Sequence, residues 1–296
     1  MNLQQAQQEM LSRLRTLYED REAATITDWV MEKITGWRKL DRIIHKNVPL
    51  TAEGLELFRL YIRELLNHRP VQYVLQEAWF AGLKFYVDES VLIPRPETEE
   101  LVEWVAEEAG SLPLPEQAPA SKDPHQGASI LDVGTGSGCI AVALKRRLPG
   151  NRAYACDLSE AALAIAKRNA ASNQADIQFL RLDFLDRDSW SSLPSIQVLV
   201  SNPPYIPLRE KDSMAPHVIG FEPHLALFVP NQDPLVFYRA LAHFGLEKLL
   251  PGGQVFAEIH EGLGAEVVRL FEAAGFHPVV LKKDMMGKDR MIKATR

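Results

Sequence analysis

Apolar positions in the N-terminal stretch recur at helical spacing. Leu3, Met10, Leu14 and Leu17 mark one face, and Ile26, Trp29, Val30, Met31 and Ile34 mark a second. Leu55, Leu57, Phe58, Tyr61, Ile62, Leu65 and Leu66 mark a third, with Thr51 as its N-cap and His68-Arg69-Pro70 as its end. Charges of both signs are interspersed, so residues 1–72 predict a small helical bundle whose apolar side chains are mostly its own core. Over residues 73–95 the pattern turns to alternation around Phe80-Ala81-Gly82-Leu83, which predicts a β-hairpin connector. A helix over 101–109 follows, led by Pro96 at a first helical position and by Glu97, Glu99 and Glu100, whose charges suit the helix dipole.

Residues 111–127 are rich in Pro, Ser and Ala and predict a flexible surface loop. Beyond it strands and helices alternate. Strands are expected over 129–133, 152–156, 177–180, 196–200, 254–258, 278–281 and 291–294, and helices from 139 and over 160–171, 234–249 and 265–274. This is an α/β pattern. It implies a mainly parallel sheet covered on both faces, with ligands at the carboxyl ends of the strands.

A chain of 296 residues can hold two domains, and 46% hydrophobic with 24% charged residues is ordinary for a globular protein. The N-terminus is polar and Gln-rich and no apolar run approaches a membrane span, so the expected location is the cytoplasm, with no membrane partner. Cys139 and Cys156 fall in predicted buried elements and read as small hydrophobes, and the eight histidines show no ligand spacing, so no metal is expected. A net charge of −6 argues against a stable nucleic-acid partner. The basic clusters Lys145-Arg146-Arg147 and Lys282-Lys283 are short and read as solvated element ends.

Two loops carry the chemistry. Gly134-Thr135-Gly136-Ser137-Gly138 lies between a strand and a helix, where glycines let a ligand approach the backbone closely. Asp157 ends the next strand, about twenty residues on, and is placed to accept hydrogen bonds from ribose hydroxyls. The second loop, Ser201-Asn202-Pro203-Pro204-Tyr205, follows the apolar run Val198-Leu199-Val200. Its prolines supply no N–H and stiffen the turn, so main-chain carbonyls can face a cleft. The Asn202 carbonyl and the flat Tyr205 ring complete a surface suited to a planar –NH2 group. Arg95, between Pro94 and Pro96, has no packing reason in the sequence, and a contact with a protein substrate or with the Asn202 loop is expected of it.

The spacing G-x-G-x-G resembles S-adenosylmethionine methyltransferases more than nicotinamide enzymes. With Ile93-Pro94-Arg95-Pro96-Glu97-Thr98-Glu99, Asn202-Pro203-Pro204-Tyr205-Ile206-Pro207 and Phe221-Glu222-Pro223 added, the chain from about Arg69 onward resembles the release factor glutamine methyltransferases, the HemK/PrmC family. The resemblance implies a Rossmann-like class I methyltransferase domain over 96–296, with 1–72 as a helical substrate-recognition domain. It implies that S-adenosylmethionine is bound by Gly134, Thr135, Gly136, Ser137 and Gly138, that Asp157 holds the ribose, and that Asp183 and Phe184 flank the adenine. Asn202, Pro203, Pro204 and Tyr205 would grip the glutamine of the Gly-Gly-Gln loop of a peptide-chain release factor, with Asn202 also bordering the cofactor.

The mechanism expected is in-line methyl transfer to an amide nitrogen fixed by the Asn202 side-chain oxygen and a Pro203 backbone oxygen, with no obligatory general base. The principal alternative is an amino methyltransferase acting on adenine N6 or cytosine N4 of DNA or RNA, which Asn-Pro-Pro-Tyr serves equally well. A non-catalytic cofactor-binding module ranks below it, because both loops are intact.

Overall fold

A computed structural model describes residues 1–110 and 127–296. The loop expected over 111–127 lies outside the described residues, except for Gly127. The chain divides into two compact units, Met1–Glu77 with Ala215–Phe221, and Ala78–Met214 with Glu222–Arg296.

The first unit is helical: α1 (Leu3–Leu14), α2 (Asp20–Thr35), α3 (Lys39–Ile44), α4 (Ala52–Leu66) and α5 (Val71–Leu75). Asn2 and Gln5 form a reciprocal capping box at the start of α1, satisfying main-chain donors that the helix itself cannot. Thr51 caps α4, its hydroxyl accepting the Gly54 N–H at 3.0 Å. Leu3, Met10, Leu14, Ile26, Val30, Met31, Phe58, Ile62 and Leu65 form one core. Leu17 and Trp29, expected on apolar faces, are exposed.

Alternation over 73–95 overstates the strands. Residues up to Leu75 are helical, and the hairpin is short: β1 (Ala78–Phe80) pairs with β2 (Leu83–Phe85). Gln76 ends α5 in a left-handed conformation. Phe80 and Phe85 meet edge-on at 6.1 Å in the core of the second unit.

That unit continues with α6 (Pro96–Ala109), β3 (Ser129–Val133), α7 (Cys139–Arg147), β4 (Arg152–Asp157), α8 (Glu160–Ser172), β5 (Gln178–Arg181) and β6 (Ile196–Ser201). Then come β7 (Ile206–Pro207), α9 (Pro216–Phe221, within the first unit), β8 (Phe228–Val229), α10 (Val236–Lys248), β9 (Leu249–Glu258), α11 (Gly264–Ala273), β10 (Val279–Lys283) and β11 (Asp289–Thr295). Seven described strands form one sheet in the order β10-β11-β9-β6-β3-β4-β5. The pairs among β9, β6, β3, β4 and β5 are parallel, and β11 runs antiparallel to both β9 and β10. The small β7–β8 pair carries no sequence signal beyond Ile206 and Phe228.

Alternate residues of the central strands feed two cores, as a sheet covered on both faces requires. Leu131, Val133, Leu199, Val255 and Ala257 pack with Tyr238, Leu241, Phe244, Val267 and Phe271 of α10 and α11. Ile130, Val198, Val200 and Phe256 pack with Leu101, Trp104 and Val105 of α6 and Ile140 and Val142 of α7. Both cysteines are buried and free, and burial pushes both thiols up, Cys139 to about 12. Lys145 departs from its expected solvated position. It is 7% exposed and donates to the carbonyls of Pro149 (3.0 Å) and Asn151 (2.5 Å), tying the end of α7 to the start of β4. Among the described residues, no helix is long and apolar enough to cross a membrane.

Candidate active site

Register places the motifs side by side. Val133 at the end of β3 is opposite Cys156 of β4 on one side and Ser201 of β6 on the other, and Ser201 is opposite Ala257 of β9. The residues that follow, Gly134, Asp157, Asn202 and Glu258, therefore leave one edge together. The Ser201 hydroxyl donates to the Val133 carbonyl at 2.7 Å, locking the two central exits. The chain runs from β3 to β4 on one side and returns to β6 on the other, so the edge is a topological switch point.

The glycine loop is held largely by main chain. Gly134 and Thr135 donate to the Cys156 carbonyl at 2.9 and 3.0 Å, and Gly136 donates to Asp157 Oδ2 at 2.9 Å. The other Asp157 oxygen accepts the Ser159 N–H at 2.9 Å, and burial raises this carboxyl against those bonds. Gly138 has φ +81°, and a Cβ there would sit 3.1 Å from the Cβ of Ala166 and 3.2 Å from its Cα, so only glycine lets the loop close on α8. A Cβ at Gly134 or Gly136 would meet nothing nearer than the loop's own Gly134 carbonyl at 4.0 Å. That is open room above the backbone.

Beneath the loop, Asp132 is fully buried. Its Oδ2 accepts from the Thr135 hydroxyl (2.6 Å) and the Ala141 N–H (3.2 Å), its Oδ1 is without a partner, and burial pushes it to about 7. Thr135 and Ser137 are themselves buried, so their side chains stabilise the loop rather than line it. Asn169 of α8 joins the loop to the hairpin exit. It donates to the carbonyls of Ser137 and Tyr86 at 2.9 Å each and accepts the Tyr86 N–H at 2.7 Å.

The Asn202 loop is held by side chains from far along the sequence. Asn202 Nδ2 donates to the Thr98 hydroxyl at 3.0 Å, and that hydroxyl donates to Glu258 Oε2 at 2.6 Å. The Tyr205 hydroxyl donates to the other Glu258 oxygen at 2.9 Å. Glu258 is 2% exposed, and burial raises its carboxyl against the Thr98 and Tyr205 hydrogen bonds and the Arg290 charge. Burial and Glu258 raise the Tyr205 phenol as well. The Tyr205 ring meets His260 edge-on at 6.2 Å. His260 Nδ1 accepts the Gly262 N–H at 3.0 Å, so its proton is on Nε2, which donates to Glu210 at 3.1 Å. Pro203 is buried and Pro204 partly so.

Arg95 has the structural partner that the sequence concealed. Its guanidinium donates at 2.5 Å to Glu222 Oε1, while the Ile93 N–H donates to Oε2 at 3.2 Å. The Glu222 side chain is wholly buried and that of Arg95 is one-third exposed. The pair fastens the residues before α6 to those after α9, which gives Phe221-Glu222-Pro223 a reason. Asp183 Oδ1 accepts the Leu185 N–H at 2.9 Å. The Phe184 ring lies in the core, 5.6 Å from Trp190 and 5.2 Å from Phe244, and its carbonyl accepts the Trp190 Nε1–H at 2.9 Å.

Sequence reasoning did not single out Thr98, Asn169 or Glu258. An acid directly after the buried run Val255-Phe256-Ala257, at the carboxyl end of a strand, was the available signal for Glu258.

Residues 5–75 match the PrmC N-terminal domain and residues 114–219 the methyltransferase small domain. A release factor glutamine methyltransferase of Flavobacterium psychrophilum is 38% identical over 280 residues, covering 95% of this chain and 94% of the relative. The chain belongs to the release factor glutamine methyltransferase family. Another member, from Bacteroides thetaiotaomicron, is 38% identical over 283 residues and covers 96% of each chain. The hMettl16 catalytic domain, solved in complex with MAT2A 3'UTR hairpin 6, shares the fold at TM-score 0.53 and 16% identity, over 82% of this chain and 80% of that one. The class I methyltransferase architecture of the family is thus the one built here.

Proposed function

We propose that this protein transfers a methyl group from S-adenosylmethionine to the side-chain amide nitrogen of the glutamine in the Gly-Gly-Gln loop of peptide-chain release factors. The observation that carries the reading is the convergence, at one sheet edge, of the open glycine loop and an asparagine whose nitrogen is engaged and whose Oδ1 is left to receive a donor. The curated relatives, named for release factor glutamine methylation, support the choice of acceptor.

S-adenosylmethionine, when bound, supplies an electrophilic methyl group on a sulfonium. The open room over Gly134 and Gly136 fits that molecule, and Asp157 retains lone pairs for ribose hydroxyls beyond those that accept main-chain N–H groups. Asp183 and the Phe184 main chain border the adenine. Asn202 Oδ1 and the Pro203 carbonyl accept the two amide N–H groups of the glutamine. This fixes its plane and raises electron density on nitrogen. Tyr205 packs against the amide, its ring held in place by the hydroxyl bond to Glu258. Orientation and exclusion of water do the work, and the nitrogen sheds its proton after it has gained the methyl group. The 1–72 region serves as the release-factor recognition domain, and the protein works in the cytoplasm.

The test is labelled-methyl transfer from S-adenosylmethionine to a purified release factor, with a Gln-to-Ala loop variant and unmethylated DNA as parallel acceptors. Label is expected only on the intact release factor. Asn202→Ala is expected to lower the rate about a hundredfold to a thousandfold with cofactor affinity retained. Label on DNA and none on the release factor would overturn the reading.

A further inference from the structure

We infer that Thr98 and Glu258 are positioning residues for methyl transfer, setting which end of the Asn202 amide faces the substrate. The inference rests on the reading that Asn202 receives the substrate amide. An asparagine side chain presents a donor at one end and an acceptor at the other, in nearly the same shape. Only the acceptor end can hold a substrate –NH2. Packing alone does not choose between the two, because the amide fills the same space after a half-turn.

The choice is made by a chain of hydrogen bonds with one permitted direction. In its carboxylate form, which the Thr98 and Tyr205 hydroxyls and the Arg290 charge favour against the effect of burial, Glu258 can only accept. Its Oε2 takes the single Thr98 proton at 2.6 Å, and its Oε1 takes the Tyr205 proton at 2.9 Å. The Thr98 hydroxyl then has only lone pairs to offer Asn202, and it accepts from Nδ2 at 3.0 Å. Oδ1 is thereby turned the other way. Thr98 is 2% exposed and Glu258 2% exposed, so no solvent competes for the relay. The same carboxylate orders both the polar and the aromatic member of the loop. The relay reaches from the first turn of α6 and from the end of β9, and neither residue touches the reacting atoms.

The test compares kcat, KM for a release factor and the dissociation constant for S-adenosylmethionine across Thr98→Val, Thr98→Ser, Glu258→Gln and Asn202→Ala. Thr98→Val keeps the shape and removes the relay oxygen. It is expected to lower kcat about a hundredfold, with KM and cofactor affinity within about threefold of wild type. Thr98→Ser restores the hydroxyl and is expected to recover most of the rate. Glu258→Gln lets Thr98 point its proton either way and is expected to lower kcat by a smaller factor, about tenfold. Wild-type kcat in Thr98→Val or Glu258→Gln beside a crippled Asn202→Ala overturns the relay and leaves the substrate grip standing. A Thr98→Ser enzyme as slow as Thr98→Val also overturns it. If Asn202→Ala itself runs at the wild-type rate, the reading of the loop fails and the relay with it.

Discussion

The glycine loop after β3 and the Asn-Pro-Pro-Tyr loop after β6 leave neighbouring strands at one edge, but they are held by different means. The first is shaped by main-chain bonds to Cys156 and Asp157 and by a glycine that lets it touch α8. Its partners lie within a few tens of residues. The second is stiffened by two prolines and then oriented by side chains 104, 160 and 53 positions away along its hydrogen-bonded links. A main-chain cradle tolerates a ligand common to many enzymes, because every residue offers the same groups. A loop oriented by side chains needs support from several elements at once.

The largest effect is expected from breaking the main-chain side of this contrast. Gly138→Val sets a β-branched residue at positive φ against Ala166, at a cost of about 3–5 kcal/mol. A denaturant titration should show that loss together with abolished cofactor binding. Arg95→Ala strikes the side-chain part of the edge by leaving the buried Glu222 carboxylate unpaired, and about 3 kcal/mol of stability should go. Adding Glu222→Gln to that variant should return most of it. A variant that melts like the wild type while methylation fails would move Arg95 from scaffold to substrate contact.

Asp157→Ala is a finer probe, since it removes acceptors from the cofactor side and nothing from the Asn202 loop. Cofactor affinity should fall by about 1–3 kcal/mol, with the rate recovering at saturating S-adenosylmethionine. Calorimetry and saturation kinetics read the two separately.

The smallest effect concerns Asp132, the buried carboxyl beneath the glycine loop that holds the Thr135 hydroxyl. Burial raises its carboxyl from 3.8 to about 7. Between those values the folded protein keeps a proton that the unfolded chain has released. Stability therefore falls as pH climbs through this window, and the cost is complete above it. Asp132→Asn retains an acceptor for Thr135 and Ala141 and abolishes the titration. At pH 8 its melting temperature should exceed that of the wild type by roughly 2–4 °C for about 1 kcal/mol, and at pH 3 the difference should vanish. Equal differences at both pH values would remove Asp132 from the pH dependence.

The same contrast explains what could be read from the chain before its structure. Strand-to-helix alternation and the Gly134 to Gly138 spacing are local signals, and they led directly to the parallel sheet and its switch point. Asn202 and Tyr205 were legible because proline punctuates the loop itself. Their supports were not. Thr98 passes for an ordinary first-turn residue among helix-starting acids, and Glu258 for a strand terminator, until register sets β9 beside β6. Arg95 showed no packing reason because its counter-ion lies 127 positions away. The hairpin was overdrawn because alternation persists through residues 86–95, where the chain is irregular.

Asn169 carries a consequence for how such chains diversify. One amide serves the main chain of Tyr86 twice and that of Ser137 once, so the connector and the glycine loop share one fastening on α8. The connector cannot be exchanged as a free-standing cassette. A graft from a relative would keep its activity only if the residue facing it on α8 travelled with it. Change at Tyr86, at Ser137 and at Asn169 is therefore coupled through one side chain.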